Sequence, residues 1–183
     1  MKVIRTGIPD VLILEPRVFG DERGFFLERY NKRVFREVTG ADVEFVQDNH
    51  SRSTRNVVRG LHYQMKQVQG KLVWAVAGEV YDGAVDLRKG SPTFGKSAGM
   101  ALSARSQRMA WIPPGFAHGF LVVSEVAEVL YKATDFYAPE HERILLWNDP
   151  ALGVDWPLEG GAVPILTEKD RGGLPLASAE YFD

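Results

Sequence analysis

Between Glu44 and about Tyr137, glycine or proline interrupts the chain at intervals of roughly 8–12 residues, the spacing of strands in sandwiches and barrels. The pieces between the breaks are short apolar or alternating runs, which read as strands with one buried face. Gly78 separates one such piece from Val80–Leu87, and Gly90-Ser91-Pro92 ends the latter. Ala110-Trp111-Ile112 runs into Pro113-Pro114-Gly115, Phe116–Val123 follows, and Val126–Phe136 is the last clear strand. Ahead of this block, Val11–Leu14 is a short strand, Asp21–Gly24 a turn, and Phe25–Tyr30 a further strand. One early helix is predicted after Asn31: Asn is a good N-cap, Val34, Phe35 and Val38 form its apolar stripe, and Gly40 is its C-cap. The C-terminal part is rich in loops, with a short helix expected after Thr167. The expectation is one mostly-β domain spanning residues 1–183 with a few short helices.

Composition narrows the function. A chain of 183 residues with 45% hydrophobic and 25% charged residues suits a soluble globular protein. A net charge of −2 supplies no electrostatic reason to bind nucleic acid or an anionic membrane surface. The absence of cysteine excludes disulfides, thiolate metal sites and a cysteine nucleophile. The N-terminus has Lys2 and Arg5 but no apolar signal region, and no long apolar run follows, so a cytoplasmic protein is expected.

Candidate chemistry begins at Arg59-Gly60-Leu61-His62-Tyr63-Gln64 and Gln69-Gly70-Lys71-Leu72-Val73. Side chains alternate along a strand, so Lys71 shares a face with Val73 and Ala75 and points into a cavity rather than into water. His62 and Gln64 share a face by the same counting, and Arg59 falls on the other. Gly60 offers a remedy, because glycine inside a strand often marks a bulge that re-aims its neighbours. A strand histidine is ordinarily a structural residue, and the functional reading gains only from partners elsewhere. Tyr131, Ala133, Asp135 and Tyr137 share one face by period two, which suits core packing, a phenolic acid or a stacking surface. Glu168-Lys169-Asp170 is a solvated charge cluster, or else the place from which Asp170 fixes the tautomer of a histidine base. Arg23 and Arg59, each beside a glycine, suit a phosphate, and Gln47, Asn49 and Glu28 suit the polar edge of a base. There is no P-loop or dinucleotide fingerprint.

Pro113-Pro114-Gly115-Phe116-Ala117-His118 resembles the second motif of the cupin superfamily, a double-stranded β-helix or jelly roll. Where that superfamily carries a His-x-His pair, this chain has His62-Tyr63-Gln64, so His62, Gln64 and His118 make a poor transition-metal site. A metal-dependent oxygenase is thereby disfavoured, and no metal or other cofactor is expected.

Taken with Phe19-Gly20-Asp21-Glu22-Arg23-Gly24, Gln47-Asp48-Asn49-His50-Ser51, Val85-Asp86-Leu87-Arg88, Ser91-Pro92-Thr93-Phe94-Gly95, Tyr131-Lys132-Ala133-Thr134-Asp135 and Glu168-Lys169-Asp170, these runs resemble the dTDP-4-dehydrorhamnose 3,5-epimerases. The resemblance extends from near the N-terminus to about residue 170. It implies a metal-free cupin-like jelly roll that converts dTDP-4-dehydro-6-deoxy-D-glucose to dTDP-4-dehydro-L-rhamnose in dTDP-L-rhamnose synthesis. It implies His62 as proton acceptor held by Asp170, Tyr131 as proton donor, and Lys71 on the enolate side. Substrate contacts would fall on Phe19, Arg23, Glu28, Gln47, Asn49, Arg59, His118, Glu142 and Lys169, with Tyr137 stacked on thymine. It further implies a homodimer in which the segment around Phe19, Arg23 and Glu28 reaches the partner's nucleotide site. The loop 65–69 lacks the family's usual prolines, and Gly83 replaces a usual bulky apolar residue. Two other readings remain open on sequence: a dTDP-keto-sugar mono-epimerase or ketoisomerase, and a non-catalytic cupin that binds a nucleotide sugar.

Overall fold

A computed structural model describes all 183 residues. Thirteen strands run β1 (Lys2–Arg5), β2 (Leu12–Glu15), β3 (Val18–Asp21), β4 (Gly24–Leu27), β5 (Gln47–Thr54), β6 (Val58–Gln64), β7 (Lys71–Ala77), β8 (Glu79–Asp86), β9 (Ser97–Ser103), β10 (Met109–Ile112), β11 (Phe116–Val122), β12 (Val126–Ala133) and β13 (Glu142–Ile144). Two antiparallel sheets form, ordered β1-β2-β10-β7-β12-β5 and β13-β6-β11-β8-β9, and β3-β4 stands apart as a hairpin. This is the mostly-β jelly roll expected from the punctuation of the sequence.

Alternation along each strand divides the apolar residues into three layers. Val73, Ala110, Ile112 and Val129 of the first sheet meet Val80, Met100, Leu102, Phe116 and Phe120 of the second between the sheets. The other face of the first sheet, with Leu72, Trp74 and Trp111, is covered by Phe35 of α1 (Lys32–Thr39). Asn31 caps α1 by accepting from the Arg33 and Val34 N–H groups, and Gly40 closes it at φ 74°. The outer face of the second sheet, with Leu61, Tyr63 and Leu87, is sealed by C-terminal residues including Leu145, Leu152, Trp156 and Phe182. Trp156 fills the space over Gly83, where an added Cβ would meet its ring at 3.0 Å, and β8 keeps its register with β9 and β11 through that position. No helix is long and apolar enough to cross a membrane.

Two strands stop three residues short of their sequence-based ends. β4 ends at Leu27 rather than Tyr30, and β12 at Ala133 rather than Phe136. Asp135 turns its carboxylate onto the Phe136 N–H at 2.8 Å, and this local bond competes with the ladder. Period two therefore does not carry through to Tyr137.

Candidate active site

The open mouth between the sheets holds a cavity of about 160 Å³ lined by Ser51, Arg59, His62, Lys71, His118, Gly119, Phe120 and Tyr131. His62 and His118 enter from the second sheet, as register partners on β6 and β11. Lys71 and Tyr131 enter from the first sheet, on the neighbouring strands β7 and β12. Arg59 joins them because β6 carries an extra residue: His118 pairs with His62, but Phe120, two residues on, pairs with Arg59, three residues back. That bulge returns Arg59 to the inner face. It fits because Gly60 and Gly119 face each other; a Cβ on Gly60 would lie 2.7 Å from the Gly119 Cα and the His118 carbonyl oxygen.

Each imidazole is held by a buried carboxylate. His62 Nε2 lies 2.5 Å from Asp170 Oδ1, and Asp170 is 3% exposed. A carboxylate accepts, so Nε2 carries a proton, and in the neutral ring the lone pair is then the one on Nδ1. Burial pushes the Asp170 carboxyl up, but the hydrogen bonds from His62 and Thr167 outweigh it and the net shift is downward. His118 Nε2 lies 2.9 Å from Asp82 Oδ2, and burial drives the His118 imidazole down against the pull of that carboxylate. Burial also lowers the Lys71 ammonium to about 8, against Glu142 and Asp82, and raises the Tyr131 phenol, partly offset by Arg59. The Lys71 ammonium sits 5.9 Å from the centroid of the Tyr131 ring.

At the rim, a chain of hydrogen bonds joins five residues singled out in the sequence. Gln47 Nε2 donates to Asn49 Oδ1 at 3.0 Å, and the Tyr137 N–H donates to Gln47 Oε1 at 2.9 Å. The Tyr137 hydroxyl and the Lys169 ammonium both donate to Glu142. Arg59 Nε donates to Ser53 Oγ at 2.9 Å. Gln64 is not part of the cavity: its amide is committed to the backbone of Gln67, Phe136 and Ala138. Phe19, Arg23 and Glu28 do not line it either. They belong to the protruding β3-β4 hairpin and its exit, where Arg23 pairs with Asp21. Asp82, Ser53 and Thr167 enter the geometry without having been singled out as site residues; Asp82 is one of two acids, with Asp86, inside the otherwise largely apolar run 80–87.

The model of the dTDP-4-dehydrorhamnose 3,5-epimerase family matches residues 5–178. The chain belongs to this family. A dTDP-4-dehydrorhamnose 3,5-epimerase of Pseudomonas aeruginosa is 63% identical over 182 residues, covering 100% of this chain and 99% of the relative. A crystal structure of the dTDP-6-deoxy-D-glucose-3,5-epimerase of Legionella pneumophila, in complex with dTDP-4-keto-L-rhamnose, superposes with a TM-score of 0.94 at 49% identity, over 98% of this chain and 94% of that one. A 3'-monoepimerase of Streptomyces bikiniensis, in complex with dTDP-quinovose, has the same fold at a TM-score of 0.87 and 31% identity, over 94% and 87% of the two chains. Identity thus runs well higher to these double epimerases of the family than to that mono-epimerase.

Proposed function

We infer that this chain is a dTDP-4-dehydrorhamnose 3,5-epimerase in which His62 removes protons and Tyr131 returns them. The carbonyl at sugar carbon 4 acidifies the hydrogens on carbons 3 and 5. Inversion at either carbon needs a base on one face of the ring and an acid on the other. The observation that carries the reading is the placement of these two groups on opposite sheets, reaching one cavity from facing walls.

His62 Nδ1 takes the proton, and the resulting imidazolium is stabilised by Asp170 at Nε2. The electron pair moves onto the carbonyl oxygen, and the Lys71 ammonium stabilises the enolate formed. The raised Tyr131 phenol is protonated at neutral pH and protonates the opposite face; solvent then restores both groups before the second carbon reacts. Gln47, Asn49, Glu142, Lys169 and Tyr137 hold the nucleotide at the rim, and Arg59 and His118 hold the diphosphate and the sugar. Phe19, Arg23 and Glu28 complete the nucleotide site of a second copy in a homodimer.

Incubating the protein with dTDP-4-keto-6-deoxyglucose in deuterated water tests the chemistry. The expected result is deuterium at both carbon 3 and carbon 5; incorporation at one carbon alone would make the protein a mono-epimerase. His62→Ala should abolish exchange. Tyr131→Phe should retain some exchange and lose inversion, and an equal yield of inverted product would remove Tyr131 from its role.

A further inference from the structure

The carboxylate of Asp170 has two oxygens, and only one faces the imidazole. The other, Oδ2, accepts from the Thr167 hydroxyl at 2.8 Å, while the same hydroxyl oxygen accepts the Asp170 backbone N–H at 3.1 Å. Thr167 is the N-cap of α2 (Glu168–Arg171), and Asp170 is its third residue. In an ordinary capping box the acidic or amide side chain three residues on reaches back to the backbone N–H of the cap residue. Here that side chain takes the hydroxyl proton instead, so both functions of the hydroxyl are spent on one residue. The carboxylate is pinned at both ends, with 5% of the side chain exposed and no freedom to swing about its terminal torsion.

We propose that Thr167 is a positioning residue for the reaction: its hydroxyl aims the Asp170 carboxylate so that Oδ1 presents a single, fixed acceptor to His62 Nε2. The role follows from the atoms involved. An Asp170 side chain held only by His62 could turn away from Nε2 as well as toward it, and with that acceptor withdrawn the imidazole would sample both tautomers. A ring with its proton on Nδ1 has no lone pair for the substrate. Thr167 does not line the cavity and acts through Asp170 alone. The proposal rests on the reading of His62 as the base.

The test uses the full-length protein and three variants, Thr167→Val, Thr167→Ser and Thr167→Ala, the last replacing the first if Thr167→Val fails to fold. Nitrogen shifts of His62 are read from two-bond proton–nitrogen correlation spectra and assigned by their loss in His62→Gln. In the wild type and Thr167→Ser, one nitrogen should be of the protonated type and the other of the lone-pair type. In Thr167→Val the two shifts should move toward each other, with kcat down about tenfold, the scale of one hydrogen bond to a charged group, and KM within about twofold. A merely structural cap would lower the melting temperature and leave both the nitrogen shifts and the kcat of the folded protein unchanged, which would overturn the proposal. Shifts that merge without a fall in kcat would overturn the reading of His62 as base and leave the aiming of Asp170 intact.

Discussion

Lys71 is the residue whose surroundings set the sharpest condition on activity. Its ammonium loses solvent inside the cavity and falls to about 8, in the company of Glu142, Asp82, His62, His118, Arg59 and Tyr131. A lysine that must be cationic to hold an enolate oxygen works below its pKa and fails above it. The rate should therefore fall as pH rises through about 8, measured as kcat/KM over roughly pH 6 to 10, the parameter that reports groups of the free enzyme. Lys71→Arg, slower because its planar head fits less well, should show no such alkaline limb, since a guanidinium stays charged throughout. Persistence of the limb in that variant would assign it to another group. Lys71 was legible in the sequence because one cation breaks the apolar face it shares with Val73 and Ala75. Asp82 was not, because its partner His118 lies 36 residues away and only the pairing of β8 with β11 brings them together. Tyr137 reaches the rim through a loop and its bond to Gln47, not through the phase of β12 that its alternation with Tyr131 suggested.

At the scale of the element, β6 decides whether the site exists. A regular strand would put Arg59 and His62 on opposite faces, and the single extra residue puts both in the cavity. Glycine inside the run was enough to suggest a bulge from sequence; what sequence could not supply was Gly119, the facing residue that makes the close approach possible. Gly60→Ala would drive a Cβ to 2.7 Å from backbone atoms of β11, at a φ of +118° that side chains rarely adopt. Overpacking and backbone strain together should cost about 3 kcal/mol in denaturant unfolding. A second effect separates this from simple destabilisation: the folded variant should bind dTDP more weakly, because Arg59 is re-aimed. A variant with wild-type affinity would show that the bulge does not set Arg59 against the nucleotide.

At the scale of the molecule, the β3-β4 hairpin is what a lone chain leaves unexplained. Phe19, Phe25 and Phe26 are 51%, 63% and 71% exposed, on a two-stranded ribbon that joins neither sheet. A ribbon of two strands is at best marginal by itself, and an apolar cluster of this kind marks a contact surface. The cavity in turn lacks Phe19, Arg23 and Glu28, which the family pattern assigns to nucleotide binding. A twofold dimer reconciles both facts if each hairpin covers the rim of the other chain's site, since such an interface uses the same patch twice. Two inactive variants decide between this and a hairpin that folds back on its own chain. Arg23→Ala and His62→Ala homodimers should each be inactive or nearly so. Co-expressed in equal amounts, half of the dimers are mixed, and in a mixed dimer one site takes its histidine from one chain and its arginine from the other. Exchange in trans therefore predicts recovery of about a quarter of wild-type activity, one intact site in half of the dimers. A hairpin acting in cis predicts none, because every chain then carries a defect in its own site. Activity that stays at the sum of the two homodimers would remove the hairpin from the partner's site.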